Sequence, residues 1–197
     1  AALAVPALRP AVEPVRPDPY FDGLASALRG RGVQHSVALI DLDRVDANLA
    51  QIRAVLGDQA QYRATTKSLP SYELLRHVLS AMGSNRVMEF HAPYLRPLIE
   101  TWVKIDPAAP TPGPIQLDIL MGKPLPKAEV DAFYENPPAE GKLAATRLRW
   151  LVDSEARLAD YLAIAEKRGL RLDIAVELDI GLHRGGVPDR EALRRLL

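Results

Sequence analysis

Apolar runs of strand length start near residues 61, 86, 115, 149 and 172 of this chain, 23 to 34 residues apart. Stretches with helical spacing separate them. That interval is the length of one βα unit, and regular βα alternation implies a parallel sheet, since parallel neighbours need a crossover connection. Two parallel architectures compete. A doubly wound sheet that binds a dinucleotide or nucleotide places a glycine-rich phosphate turn after its first strand, and no G-x-G-x-x-G or Walker pattern occurs here. An eight-fold barrel needs about 250 residues. The reading is therefore α/β: the N-terminal portion of a (β/α)8 barrel, incomplete, in a longer protein.

The pattern predicts particular elements. Val37–Leu42 reads as a strand, with Asp43 capping a helix that turns Val45, Leu49, Ile52 and Leu56 inward and stops at Gly57. The run 61–66 reads as the next strand. Ser71 opens a helix with Leu74, Leu75, Val78, Leu79 and Met82 on one face. Arg86–Phe90 is a strand, followed by a helix with Leu95, Leu98, Ile99 and Trp102 inward. Residues 106–114 hold four prolines and read as a loop. Ile115–Met121 is a strand, 127–134 a helix, 135–141 a loop and Leu148–Val152 a strand. Asp153-Ser154 leads into a helix with Leu158, Leu162 and Ala165 inward, which closes at Gly169. Leu172–Leu178 is the last strand, and Pro188-Asp189 starts a final helix. Trp102 and Trp150 are read as core or near-core residues.

Ahead of these units, residues 1–36 form a Pro/Ala-rich leader and lead-in helix, with five prolines in the first 19 residues. An Ala-Ala-Leu-Ala start suits the mature end of an exported, periplasmic chain and equally a cut made elsewhere, so a cytoplasmic location stays open. Lys+Arg and Asp+Glu are 25 each, which provides no electrostatic case for nucleic acid or an anionic membrane surface as partner. No apolar run approaches the roughly 20 residues a membrane helix needs. With no cysteine, thiol nucleophiles, disulfides and thiolate metal sites are excluded from this chain. His35, His77 and His91 are scattered, without metal-ligand partners at i+2 or i+4, and read as surface or partly buried side chains.

Two segments carry chemistry. Lys67 stands at a strand-to-helix corner, where barrel enzymes place reactive side chains, and an amine there can condense with a carbonyl, that of pyridoxal phosphate included. Taken alone, it reads more simply as an exposed lysine. The second segment is Glu177-Leu-Asp-Ile-Gly-Leu-His-Arg-Gly-Gly-Val187, which presents His183 and Arg184 beyond a strand end. Two cationic-capable side chains among glycines suit a bound anion, and they suit a solvated loop equally. Lys123, which also ends a strand, reads as exposed. Asp41 and Asp43 look paired, but a helix cap accounts for Asp43.

Together these segments resemble a known family. Leu39-Ile-Asp-Leu-Asp-Arg-Val-Asp-Ala-Asn48, Arg63-x-x-x-Lys67, Leu151-Val-Asp-Ser154 and Val176-Glu-Leu-Asp-Ile-Gly-Leu-His-Arg-x-Gly-Val187 are similar, in order and spacing, to the alanine-racemase-like enzymes of fold type III. Within them the chain looks nearest the D-threonine aldolase and D-serine dehydratase branch. The resemblance spans 37–197 and implies a partial pyridoxal-phosphate-binding barrel whose C-terminal β domain lies outside this chain. It further implies a Lys67 Schiff base with the cofactor, Arg184 against the cofactor's phenolic oxygen, and His183 near the ring. A divalent metal would be bound by that missing domain, and the full-length protein would be a homodimer.

The implied activity is a lyase or racemase working at Cα of a small-molecule substrate, a D-amino acid or β-hydroxy-amino acid. Departures narrow this. Glu177 stands where alanine racemases have lysine, and Lys67-Ser-Leu-Pro replaces their Lys-Ala-Asn-Ala. Thr65 and Ser68-Leu69 replace the histidine and the Thr-His of the aldolase pattern. A non-catalytic pyridoxal-phosphate carrier and a cofactor-free Schiff-base aldolase remain alternatives.

Overall fold

The computed structural model describes residues 18–69, 71–105 and 117–197. Residues 1–17 of the expected leader and the proline-rich loop expected at 106–114 lie outside the described residues. The chain divides into two compact units, Ala1–Asp41 and Leu42–Leu197.

In the first unit, α1 spans Pro19–Gly30. Asp18 caps it by accepting a hydrogen bond from the Tyr20 amide, and Pro19 takes the first helical position, where its missing N–H costs nothing. The Tyr20 hydroxyl donates to Asp41 at 2.6 Å.

The expected strand at Val37–Leu42 does not form. Residues 37–41 have no ladder partner among the described residues, and Val37, Leu39, Ile40 and Leu42 are all exposed. Apolar β-prone sequence becomes a strand only when a neighbour accepts its backbone hydrogen bonds.

The second unit is a βα array. Helix α2 (Leu42–Leu56) starts two residues earlier than the Asp43 cap predicts, so Asp43 lies in its first turn. Of its expected inward face, Leu49 is buried and Ile52 is exposed. The order continues β1 (Ala64–Thr65), α3 (Tyr72–Ala81), β2 (Arg86–Glu89), α4 (Ala92–Ile105), β3 (Leu117–Met121), α5 (Lys127–Glu135), α6 (Glu140–Ala144), β4 (Thr146–Val152), α7 (Glu155–Arg168), β5 (Asp173–Val176) and α8 (Arg190–Leu196). Short helix α6 occupies part of the predicted 135–141 loop and its sequel; its five residues carry too little periodicity to read.

All four strand pairings are parallel, and the sheet order is β1-β2-β3-β4-β5. Each strand lies beside its predecessor, so the order never reverses. Such a sheet has no topological switch point, which excludes the doubly wound fold and is the order of a barrel wall.

Residue parity divides the sheet. Ala64, Val87, Ile119 and Trp150 point to the helix side and are fully buried. There Trp150 meets Phe133, Tyr134 and Tyr161 at centroid distances of 5.7, 5.9 and 6.3 Å. The predicted face of α7 is rotated: Tyr161 and Ile164 are buried, while Leu162 is 53% exposed. The wide Trp150 ring lies under the helix, and it is met by the Tyr161 ring, whose hydroxyl bonds both backbone groups of Leu125. The helix caps follow the sequence: Ser71, Ser154 and Asp189 accept from backbone amides of α3, α7 and α8, and Gly169 ends α7 at φ +62°.

Candidate active site

Because every strand is parallel, the C-terminal ends of β1 to β5 share one edge, the edge where barrel enzymes work. Lys67 lies there. Strand β1 is shorter than the expected run 61–66; Thr66–Ser68 form a 3-10 turn directly after it. Thr66 turns inward and its hydroxyl donates to the Met88 carbonyl, which ties the turn to β2. Lys67 is thereby turned outward at the strand end, exposed, with its ammonium 4.2 Å from the centroid of the Phe90 ring.

A cavity of about 230 Å³ opens beside this amine. Leu69, Leu75 and Leu98 give it an apolar floor, and Tyr72, Glu89 and Tyr94 add polar groups. Burial pushes the Tyr72 hydroxyl above its ordinary pKa, and the nearby Tyr94 and Glu89 add to it.

The loop after β5 is built by backbone. The Glu177 amide continues the ladder to Val152, the Val187 amide donates to Glu177, and the Asp179 amide donates to Val187. Asp179 gathers the turn: Oδ1 accepts from the amides of Gly181 and His183 at 3.1 Å, and Oδ2 meets His183 Nδ1 at 2.8 Å. Hydrogen bonds from the Gly181 amide and the His183 ring hold the Asp179 carboxyl below the usual carboxylate range. Gly186, at φ +100°, lies so close to Asp179 and Leu178 that a Cβ would sit 2.7 Å from the Asp179 nitrogen.

Arg184 stands exposed on this loop without an ion pair among the described residues, and the His183 side chain is 81% exposed. Lys67 and Arg184 thus occupy the same edge of the sheet, on its first and last strands, with no contact joining them among the described residues. Lys123 is exposed, as the sequence indicated.

On the sheet face opposite the helices lies a charge network that sequence reading missed. Asp118, only 5% exposed, takes Arg63 at 3.0 Å and a short contact from Arg149 on the same oxygen. Burial pushes its carboxyl up, but hydrogen bonds from Arg63 and Arg149, with their charges, outweigh that and leave it below the ordinary range. Its signal in the sequence is a carboxylate between apolar neighbours in Leu117-Asp118-Ile119, matched by Arg149 in Leu148-Arg149-Trp150. Among the described residues no group of three or more His, Asp or Glu is placed to hold a metal, and no helix is long and apolar enough to cross a membrane.

The family model for the alanine racemase N-terminal domain matches residues 40–197, most of the chain. The chain belongs to that family. Among solved structures it is similar to the crystal structure of a mutant of CdALR, with a TM-score of 0.53, 14% identity and 78% of this chain covered. At that identity the likeness establishes the fold, and the five-stranded parallel array is the alanine racemase type of partial barrel. The chain spans 35% of that structure's length. No curated protein matches it.

Proposed function

We propose that this chain is the cofactor-anchoring part of a pyridoxal-phosphate enzyme that acts at Cα of an amino acid, with Lys67 as the anchor. The observation that carries the reading is the placement of Lys67 at the C-terminal end of β1, inside the region matched by the alanine racemase family model.

The donor set fits the cofactor. An accessible amine meets its aldehyde, and the always-charged Arg184 guanidinium suits its phenolic oxygen. His183, held by Asp179, would be available to contact the cofactor. When bound, pyridoxal phosphate supplies an electron sink for the bond broken at Cα. The protein's part is to hold and orient. The Lys67 amine would hold the cofactor and would serve as the base that moves the proton at Cα. Thr66 keeps that amine at the sheet edge by its bond to Met88.

The substrate class we favour is a D-amino or β-hydroxy-amino acid, handled in the manner of the D-threonine aldolase and D-serine dehydratase branch. The departures at Thr65, Ser68 and Leu69 leave lyase and racemase outcomes to assay. Reconstitution of the full-length protein with pyridoxal phosphate, reduction with borohydride and peptide mapping tests the reading. Label at Lys67 is expected; label at another lysine, or no label, overturns it.

A further inference from the structure

Three consecutive strand ends meet at one point. Lys67 follows β1, Phe90 follows β2 and Gly122 follows β3. The Phe90 ring lies directly over Gly122: a Cβ built on Gly122 would collide with Cζ, Cε1 and Cε2 of that ring. No positive φ is involved, so space is what requires glycine here. Glu89 holds the backbone on either side of the ring's attachment. Its carboxylate, 4% exposed, accepts from the amides of Phe90 at 2.7 Å and His91 at 2.9 Å. The Gly122 amide donates to the Glu89 carbonyl at 2.7 Å. Backbone and ring of Phe90 are therefore fixed by two neighbouring strands before Lys67 is considered, and the Lys67 ammonium then rests 4.2 Å from the ring centroid.

We propose that Phe90 is the positioning residue for the Lys67 amine, and that Gly122 is glycine because the ring needs its place. Lysine carries four rotatable side-chain bonds, and an exposed one samples many rotamers. A fixed aromatic face limits them, so the amine waits at the cavity mouth rather than in open solvent. This rests on the reading of Lys67 as the cofactor anchor for its functional meaning, but the ring contact itself is independent of that reading.

Two measurements on the full-length protein separate the two. In the first, without cofactor, lysines are reductively methylated with carbon-13 and observed by NMR. The resonance assigned to Lys67 by its loss in Lys67→Arg is expected to be displaced by the Phe90 ring current. It should return to the bulk lysine position in Phe90→Leu and in Gly122→Ala, and stay displaced in Phe90→Tyr. A bulk position in the unmodified sequence, or a displacement that survives Phe90→Leu, overturns the proposal.

In the second, the rate of borohydride-trappable cofactor linkage at Lys67 is followed. Phe90→Leu is expected to lower it roughly fivefold, with Phe90→Tyr near the parent rate. Because both substitutions act through the same ring, Phe90→Leu combined with Gly122→Ala should be no slower than Phe90→Leu alone. Should Gly122→Ala fail to fold, the Leu and Tyr pair still decides the matter. Equal rates in Phe90→Leu and the parent overturn the positioning role, whereas absent label at Lys67 in the parent overturns the proposed function and leaves the NMR result standing.

Discussion

Arg63 and Asp118 lock three strands at one point: Arg63 Nη1 lies 3.0 Å from Asp118 Oδ1 and donates to the carbonyls of Val87 and Asp118 at 2.8 and 3.0 Å. Arg63 precedes β1, and the two carbonyls belong to β2 and β3. Strand β1 has only two ladder residues, so this guanidinium helps fix the register that places Lys67.

Asp118→Asn leaves two guanidiniums facing a neutral amide. Removing one partner of a buried ionic network costs about 3 kcal/mol, and that loss of stability is expected in denaturant melts of the full-length protein. The pH dependence has a defined sign. The folded carboxyl titrates below its unfolded value of about 3.9, so its contribution is present above that pH and lost as pH falls through the lower, folded value. The stability gap between the parent and Asp118→Asn should therefore shrink below about pH 4; a constant gap would refute the assignment.

Tyr134 provides the alkaline counterpart. Burial pushes its hydroxyl up to about 12, partly offset by the hydrogen bond from Trp150 Nε1 and reinforced by Asp173. A raised folded pKa means its contribution is complete below the unfolded value of about 10 and lost as pH rises from there through about 12. Ultraviolet phenolate titration is expected to show late-ionising tyrosines, Tyr72 and Tyr161 among them, and Tyr134→Phe should reduce that late component by one phenol.

Tyr161→Phe removes a hydroxyl that both donates to the Leu125 carbonyl and accepts from its amide. Both backbone groups are then stranded in a buried site. The expected cost is about 2 kcal/mol by thermal or chemical melt, more than a single exposed hydrogen bond.

Arg184→Ala removes the proposed partner of the cofactor's phenolic oxygen. Loss of a charge-assisted hydrogen bond predicts roughly 10- to 100-fold weaker cofactor binding, with the fold unchanged because Arg184 is exposed. Equilibrium titration with pyridoxal phosphate checks this, and circular dichroism controls for folding. Gly186→Ala should weaken binding in the same assay by a different route, since its Cβ would force Asp179 away and undo the turn that presents Arg184.

Much of the architecture was legible because βα repetition, helix caps and turn glycines are local signals. Ser71, Ser154, Asp189 and Gly169 act where their positions predict, since a cap needs only its own first or last turn. Apart from Asp43, which lies inside the first turn of α2 instead of capping it, the failures are non-local. Leu162 looked inward by spacing, yet Tyr161 and Ile164 face the core, because Trp150 selects which stripe of α7 is covered. Val37–Leu42 has strand composition, yet residues 37–41 have no ladder partner among the described residues. The Asp118 network was hidden because a carboxylate in a strand reveals its partners only once β1 to β4 are assembled in one sheet.

By itself the sequence determined the class of fold, the family and the two strand-end motifs around Lys67 and Arg184, since each depends on short spacings along the chain. Only the tertiary structure decided that Lys67 faces Phe90, that Gly122 makes room for that ring, and that Asp118 joins two arginines. Those relationships link residues tens of positions apart, and parallel strands bring them together through crossovers whose register no local pattern specifies.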